Sequence, residues 1–83
     1  MRYLLITYVK KPNGQIDEQV GYTKSLKERD ITTCSIILDF KEQKLVKSVI
    51  SGQSINAEYD AIIEYYAIIY PDLINTLKAD NVT

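Results

Sequence analysis

EYDAIIEYYAIIYPDLINTLK, residues 58–78, decides the fold, because here the hydrophobic period changes from two to about 3.6. At 100° per residue, Tyr59, Ile62, Tyr66, Ile69, Leu73 and Leu77 fall on one stripe. Asp60, Glu64, Ala67, Pro71, Asn75 and Lys78 fall on the opposite one. Such a stripe predicts an amphipathic helix that covers a sheet, with Asn56 as N-cap and Glu58 and Asp60 in the first turn, where the helix dipole favours acids. Pro71 cannot donate to the carbonyl of Ala67 and biases Tyr70 away from helical geometry. The apolar phase continues from Ile69 through Leu73 to Leu77, so a single helix bent at Pro71 is the expected form. The alternative is a second short helix with Pro71 at its first position and Asp72 behind it. Tyr59, Tyr66 and Tyr70 lie on or beside the stripe, whereas Ala61, Tyr65 and Ile68 lie on its flank and are candidates for an intermolecular surface.

Upstream, the pattern is that of strands. RYLLITYVKK mixes β-branched and aromatic residues and runs into KPNGQ, where Pro12 pre-sets a turn and Gly14 supplies positive φ. QIDEQVGYT alternates with one wet face, and Glu18, the odd charge on its apolar side, points to an edge position. KSLKERD reads as a loop with room for a helical turn. ITTCSIILDF sets Cys34, Ile36, Leu38 and Phe40 against Thr33, Ser35, Ile37 and Asp39; KEQK turns the chain, KLVKSVI is a fourth strand and SGQS ends it.

The expected fold is α+β: a four-stranded antiparallel β-meander over about residues 2–50 and one C-terminal amphipathic helix over about 56–79, bent near Pro71 and packed on one face. A single domain spans 1–83, with residues 80–83 as a frayed tail. The first strand is apolar on both faces, Tyr3, Leu5 and Val9 on one and Leu4, Ile6 and Tyr8 on the other, so one helix would leave a row uncovered. A second subunit, most simply in a homodimer, is the expected cover, with Leu4, Ile6, Tyr8, Ile37, Tyr65 and Ile68 as the contact surface and Val46 or Leu45 beside them.

Composition narrows the chemistry. The 83 residues are 46% hydrophobic and 25% charged, which suits a folded chain with a small core. One cysteine and no histidine exclude an intramolecular disulfide and a Cys/His zinc site within one chain. A reducing, cytoplasmic compartment is expected, with neither a membrane span nor a cleavable leader. Cys34 lies in an apolar row with no histidine to activate it, and reads as a buried structural thiol. Spacing does not join Asp17 and Glu18, or Asp30 and Asp39, into an acid–base or Mg²⁺ pair. Gly14, Gly21 and Gly52 form no phosphate cradle. Neither an enzyme nor a cofactor is expected.

Charge is uneven: residues 1–50 carry nine Lys/Arg against six Asp/Glu, and residues 51–83 one against five. Solvated faces account for this, but a sheet that binds RNA or single-stranded DNA through Arg2, Lys10, Lys11, Tyr22 and Lys24 is the competing reading. Such binding would fall steeply with salt and be abolished by changing Lys10 and Lys11 to Glu, whereas an apolar protein interface would hardly respond.

Taken together, MRYLLITYVKKPNGQIDEQV, RDITTCSIILDFKEQKLVKSVI and EYYAIIYPDLI resemble a group of small accessory proteins of tailed myoviruses that infect marine cyanobacteria. The resemblance spans nearly the whole chain and contains no catalytic or binding motif. It implies a viral protein acting in the bacterial cytoplasm on a host or viral partner, and assigns no functional residue.

Overall fold

The two-faced apolar strand and its alternating partner form a hairpin, β1 (Tyr3–Lys10) and β2 (Ile16–Thr23), in this computed structural model, which describes residues 1–49 and 55–82, the side chains of 55–58 excepted. The turn closes as its chemistry dictates. The Gly14 N–H donates to the Lys11 carbonyl at 2.9 Å, Gly14 takes φ 87°, and the Gln15 N–H donates to Asn13 Oδ1 at 3.0 Å. Next come α1 (Glu28–Thr33), β3 (Ile36–Asp39) and β4 (Lys44–Ser48), then α2 (Ile55–Ile69) and α3 (Pro71–Asp80). Ile50 and the SGQS turn, predicted to end the fourth strand, lie outside the described residues.

The class is α+β and every strand pair is antiparallel, but the order β2-β1-β3-β4 is not the expected meander. Both β2 and β3 run antiparallel to β1 and therefore parallel to each other. No tight turn can join them, and residues 24–35 make a crossover that carries α1. The β-branched run ITT was expected in a strand; instead, it closes α1. The Lys27 N–H donates to Asp30 Oδ2 at 3.0 Å, and the hydroxyls of Thr32 and Thr33 donate to the carbonyls of Glu28 and Arg29 at 2.9 and 2.8 Å. These local bonds offer the backbone an alternative to the ladder and outweigh strand propensity. Cys34 consequently follows a helix rather than sitting mid-strand; it is buried and unpaired.

Leu4, Ile6, Ile36, Leu38, Phe40 and Leu45 of the sheet pack against Tyr59, Ile63, Tyr66, Ile74 and Leu77 of α2 and α3. The Leu4–Ile6–Tyr8 face of β1 thus meets the helices. On the opposite face Ile37 is fully buried, and Lys47, its partner in register, donates from Nζ to the Ile31 carbonyl at 2.6 Å, which holds the end of α1 over that side. Ile37 is thus buried within the single chain, where a second subunit was the expected cover. Among the described residues no helix is long and apolar enough to cross a membrane.

The helix expected to bend at Pro71 is broken there. Tyr70 sits at φ −129°, ψ 64°, and α3 restarts with Pro71 at its first turn and Asp72 behind it. Across the break Ile74 and Leu77 go into the core on the same phase as Tyr59, Ile63 and Tyr66, whereas Leu73 is only partly buried and Ile69 is exposed. α2 also begins one residue before Asn56, which therefore lies inside its first turn. The tail expected to fray from residue 80 is tied down. Asp80 ends α3 and lies 3.3 Å from the Met1 ammonium, and Asn81 Nδ2 donates to the carbonyls of Met1 and Leu77, both at 2.7 Å.

Candidate functional site

An aromatic cluster joins the sheet to the C-terminal end of α2. Tyr66, spaced to face the core, is nearly fully buried, and its hydroxyl lies 3.5 Å from that of Tyr8 on β1. Tyr65 stands edge-on to Tyr66 with ring centroids 5.2 Å apart, and Tyr70, one turn on, stacks with it at 6.2 Å. Buried Tyr66 is thus an anchor that orders two exposed rings, an arrangement that aromatic quadrupoles favour. Ile68 and Ile69, three and four residues after Tyr65, share its side of the helix and are also exposed. Tyr65, Ile68 and Ile69 make an exposed apolar flank at the end of α2, and Tyr70 and Tyr8 are exposed beside Tyr66.

Of the residues expected at a contact surface, Tyr65 (56% exposed), Ile68 (79%) and Tyr8 (36%) are available there. Leu4, Ile6 and Ile37 are not. All three are 0% exposed, the first two beneath α2 and α3 and the third on the α1 side of the sheet, so the contact surface is corrected to exclude them. Ile69 and Tyr70 were missed because they were read on or beside the core stripe. Their signal is the proline itself, since a helix that restarts releases the residues just before the break.

The residues considered for nucleic acid fall in two groups: Arg2, whose backbone N–H donates to the Thr23 carbonyl at 3.0 Å, lies beside Tyr22 and Lys24 at one end of the hairpin, and Lys10 and Lys11 lie at the other. Arg2 is committed to Asp39 through two bonds, Nε to Oδ1 at 2.9 Å and Nη2 to Oδ2 at 2.8 Å, with its guanidinium 5.0 Å from the Tyr3 ring centroid. Lys10 and Lys11 stand at the hairpin turn, whereas Tyr22 and Lys24 stand at the far end of β2, opposite Leu4 and beyond Thr23.

Two of the candidate carboxylates, Asp30 and Asp39, have structural roles. Asp30 caps α1, and buried Asp39 also accepts the N–H groups of Lys41 and Glu42 at 3.0 and 3.2 Å, shaping a turn that closes with Gln43 at φ 55°. Burial alone would raise the Asp39 pKa; the bonds from Arg2, Glu42 and Lys41 outweigh it and hold the group below its ordinary value. The same partnership raises Arg2. Glu18, the odd charge of β2, lies opposite Tyr8 in the ladder and acts on Tyr66. Among the described residues no three His, Cys, Asp or Glu side chains gather as metal ligands. An open groove of about 500 Å³ lies between the β3–β4 turn and the helices, lined by Phe40, Lys41, Gln43, Tyr59, Asp60 and Lys78 among others.

The tyrosines give a direct check on this packing. Burial, then the charges of Asp60 and Asp39, push Tyr59 up to about 12, and burial, then Tyr8 and Glu18, raise Tyr66 further. The fold therefore favours the neutral phenols. That contribution to stability is complete below the ordinary value of 10 and is lost as pH rises above it toward the folded values. Absorbance at about 295 nm, the phenolate band, should show a late component from Tyr59 and Tyr66 whose appearance coincides with unfolding of the helices. Ionisation of Tyr59 and Tyr66 near the ordinary value of 10 with the fold intact would mean that they are not packed as described.

The chain matches no known protein family, no curated protein and no solved structure.

Proposed function

We propose that the protein is a small non-enzymatic interaction module, a viral accessory protein that self-associates and docks a host or viral protein in the bacterial cytoplasm. One observation carries this reading: Tyr65, Ile68 and Ile69 make an exposed flank at the end of α2, and Tyr70 is exposed beside buried Tyr66. Tyrosine rings held in place lose little entropy on binding, and exposed apolar surface of this kind is a common docking feature. The absence of an enzymatic role is supported by the fate of the candidate acids, since Asp30 and Asp39 are consumed by local structure. Ile68→Glu is the test, because this side chain is 79% exposed and its loss leaves the core intact. Immobilised wild-type protein should retain a protein partner from nuclease-treated host extract at high salt, and Ile68→Glu should lose it by at least about tenfold, the equivalent of 1.4 kcal/mol. Retention that disappears with salt or nuclease, and with Lys10 and Lys11 changed to Glu, would replace this reading with nucleic-acid binding.

A further inference from the structure

The two edges of the sheet are built differently. β4 has five residues, a register shift opposite Ile37/Leu38, and lysines at 44 and 47. Short length, bulges and lysines are devices that keep sheet edges from pairing. β2 has none of these three, and its charges, Asp17 and Glu18, are confined to its start. Its eight residues hold an unbroken register against β1 and include no proline, lysine or arginine.

The direction of its free backbone groups follows from the ladder. The Lys11 N–H donates to the Gln15 carbonyl at 2.7 Å, and the register continues as Lys10↔Ile16 and Val9↔Asp17. Hydrogen-bonded and non-bonded pairs alternate in an antiparallel ladder. The odd residues of β2 therefore bond to β1, and Ile16, Glu18, Val20 and Tyr22 turn their N–H and C=O groups to the open edge.

We propose that this edge pairs with the same edge of a second copy, antiparallel about Val20, to make a continuous eight-stranded sheet. The distribution of side chains selects this occupant. Both acids of β2, Asp17 and Glu18, lie at its start, and Lys24 follows its end. Antiparallel self-pairing about Val20 separates the acids of the two copies. It sets Asp17 opposite Thr23 and Glu18 opposite Tyr22, with Lys24 as the diagonal neighbour of Glu18, contacts of the kind that stabilise sheets. Ile16 and Tyr22, now 70% and 54% exposed, gain neighbours across the edge. A parallel arrangement would oppose like charges. The inference rests on the self-association in the proposed function and assigns it to β2, leaving the α2 surface for the other protein.

Light scattering on the full chain tests it. Wild type and Ile68→Glu should both be dimers at low and high salt. Tyr22→Pro, which removes an outward N–H without touching the bonds to β1, should be a monomer. Gln19→Cys, Val20→Cys and Gly21→Cys, each made in a Cys34→Ser background so that one cysteine is present, guard against a variant that fails to fold. Under mild oxidation Val20→Cys should cross-link several-fold more than either neighbour, because only position 20 meets itself. A dimer that survives Tyr22→Pro and is lost in Ile68→Glu would overturn the edge while keeping self-association. A monomeric wild type would overturn both, and the partner-capture result would stand apart.

Discussion

Ile6→Ala should lower the unfolding free energy by about 2–4 kcal/mol, the usual range for an aliphatic side chain deleted from a packed core. Ile6 is fully buried, lies between Val20 and Ile36 in the ladder, and belongs to the layer that meets α2 and α3. A domain of this length holds on the order of 4–12 kcal/mol in total, so this one change removes a large fraction. At about 4–8 °C per kcal/mol, the melting temperature should fall by roughly 10–30 °C. Ile6→Glu should leave no folded protein, since it places an unpaired charge among hydrocarbon. It consequently reports on folding, and could not report on association. Ile68→Ala on the exposed flank should change stability by no more than about 0.5 kcal/mol. Thermal unfolding followed by circular dichroism separates the cases, and an Ile6→Ala melting point within a few degrees of wild type would mean that the helices do not seal this face.

The contrast between Ile6 and Ile68 also shows where the sequence was legible. Period-two alternation marked the strands and placed β2 at an edge, but alternation cannot say which of two apolar faces meets a helix. Leu4 and Ile6 were therefore assigned to a partner when the chain's own helices cover them. The crossover helix was missed for a different reason. α1 is six residues of ERDITT, too short and too polar to show an apolar stripe, and its existence rests on hydrogen bonds from Asp30, Thr32 and Thr33. The crossover followed the same signal, because two parallel strands on either side of β1 need a longer connection than a meander does. Tyr65 and Ile68 were found because they lie off the stripe before any break. Ile69 and Tyr70 were hidden because they were read on or beside the core stripe, whereas the break at Pro71 leaves both exposed.

Asp39→Ala should cost about 2–4 kcal/mol, below the full penalty for breaking a buried ion pair because Arg2 can turn to solvent. Asp39 is 2% exposed and holds three parts of the chain together: Arg2 ahead of β1, the end of β3, and the N–H groups that start the β3–β4 turn. Asp39→Asn separates the contributions. The amide oxygen can still accept from Lys41 and Glu42, but its NH₂ faces Arg2 donors where a carboxylate oxygen had accepted, and the charge is gone. It should therefore destabilise by less than alanine does, and the remaining loss measures the ion pair. Acid supplies an independent check. The folded-state pKa of Asp39 is lowered, so its contribution is complete above the ordinary carboxylate value of 3.8 and is lost as pH falls from there through the folded value. Urea unfolding at neutral pH and near pH 3 should show wild type losing more stability on acidification than Asp39→Asn, which has no carboxylate to protonate. Equal losses in the two proteins would place the acid sensitivity in other carboxylates and reduce Asp39 to a turn former.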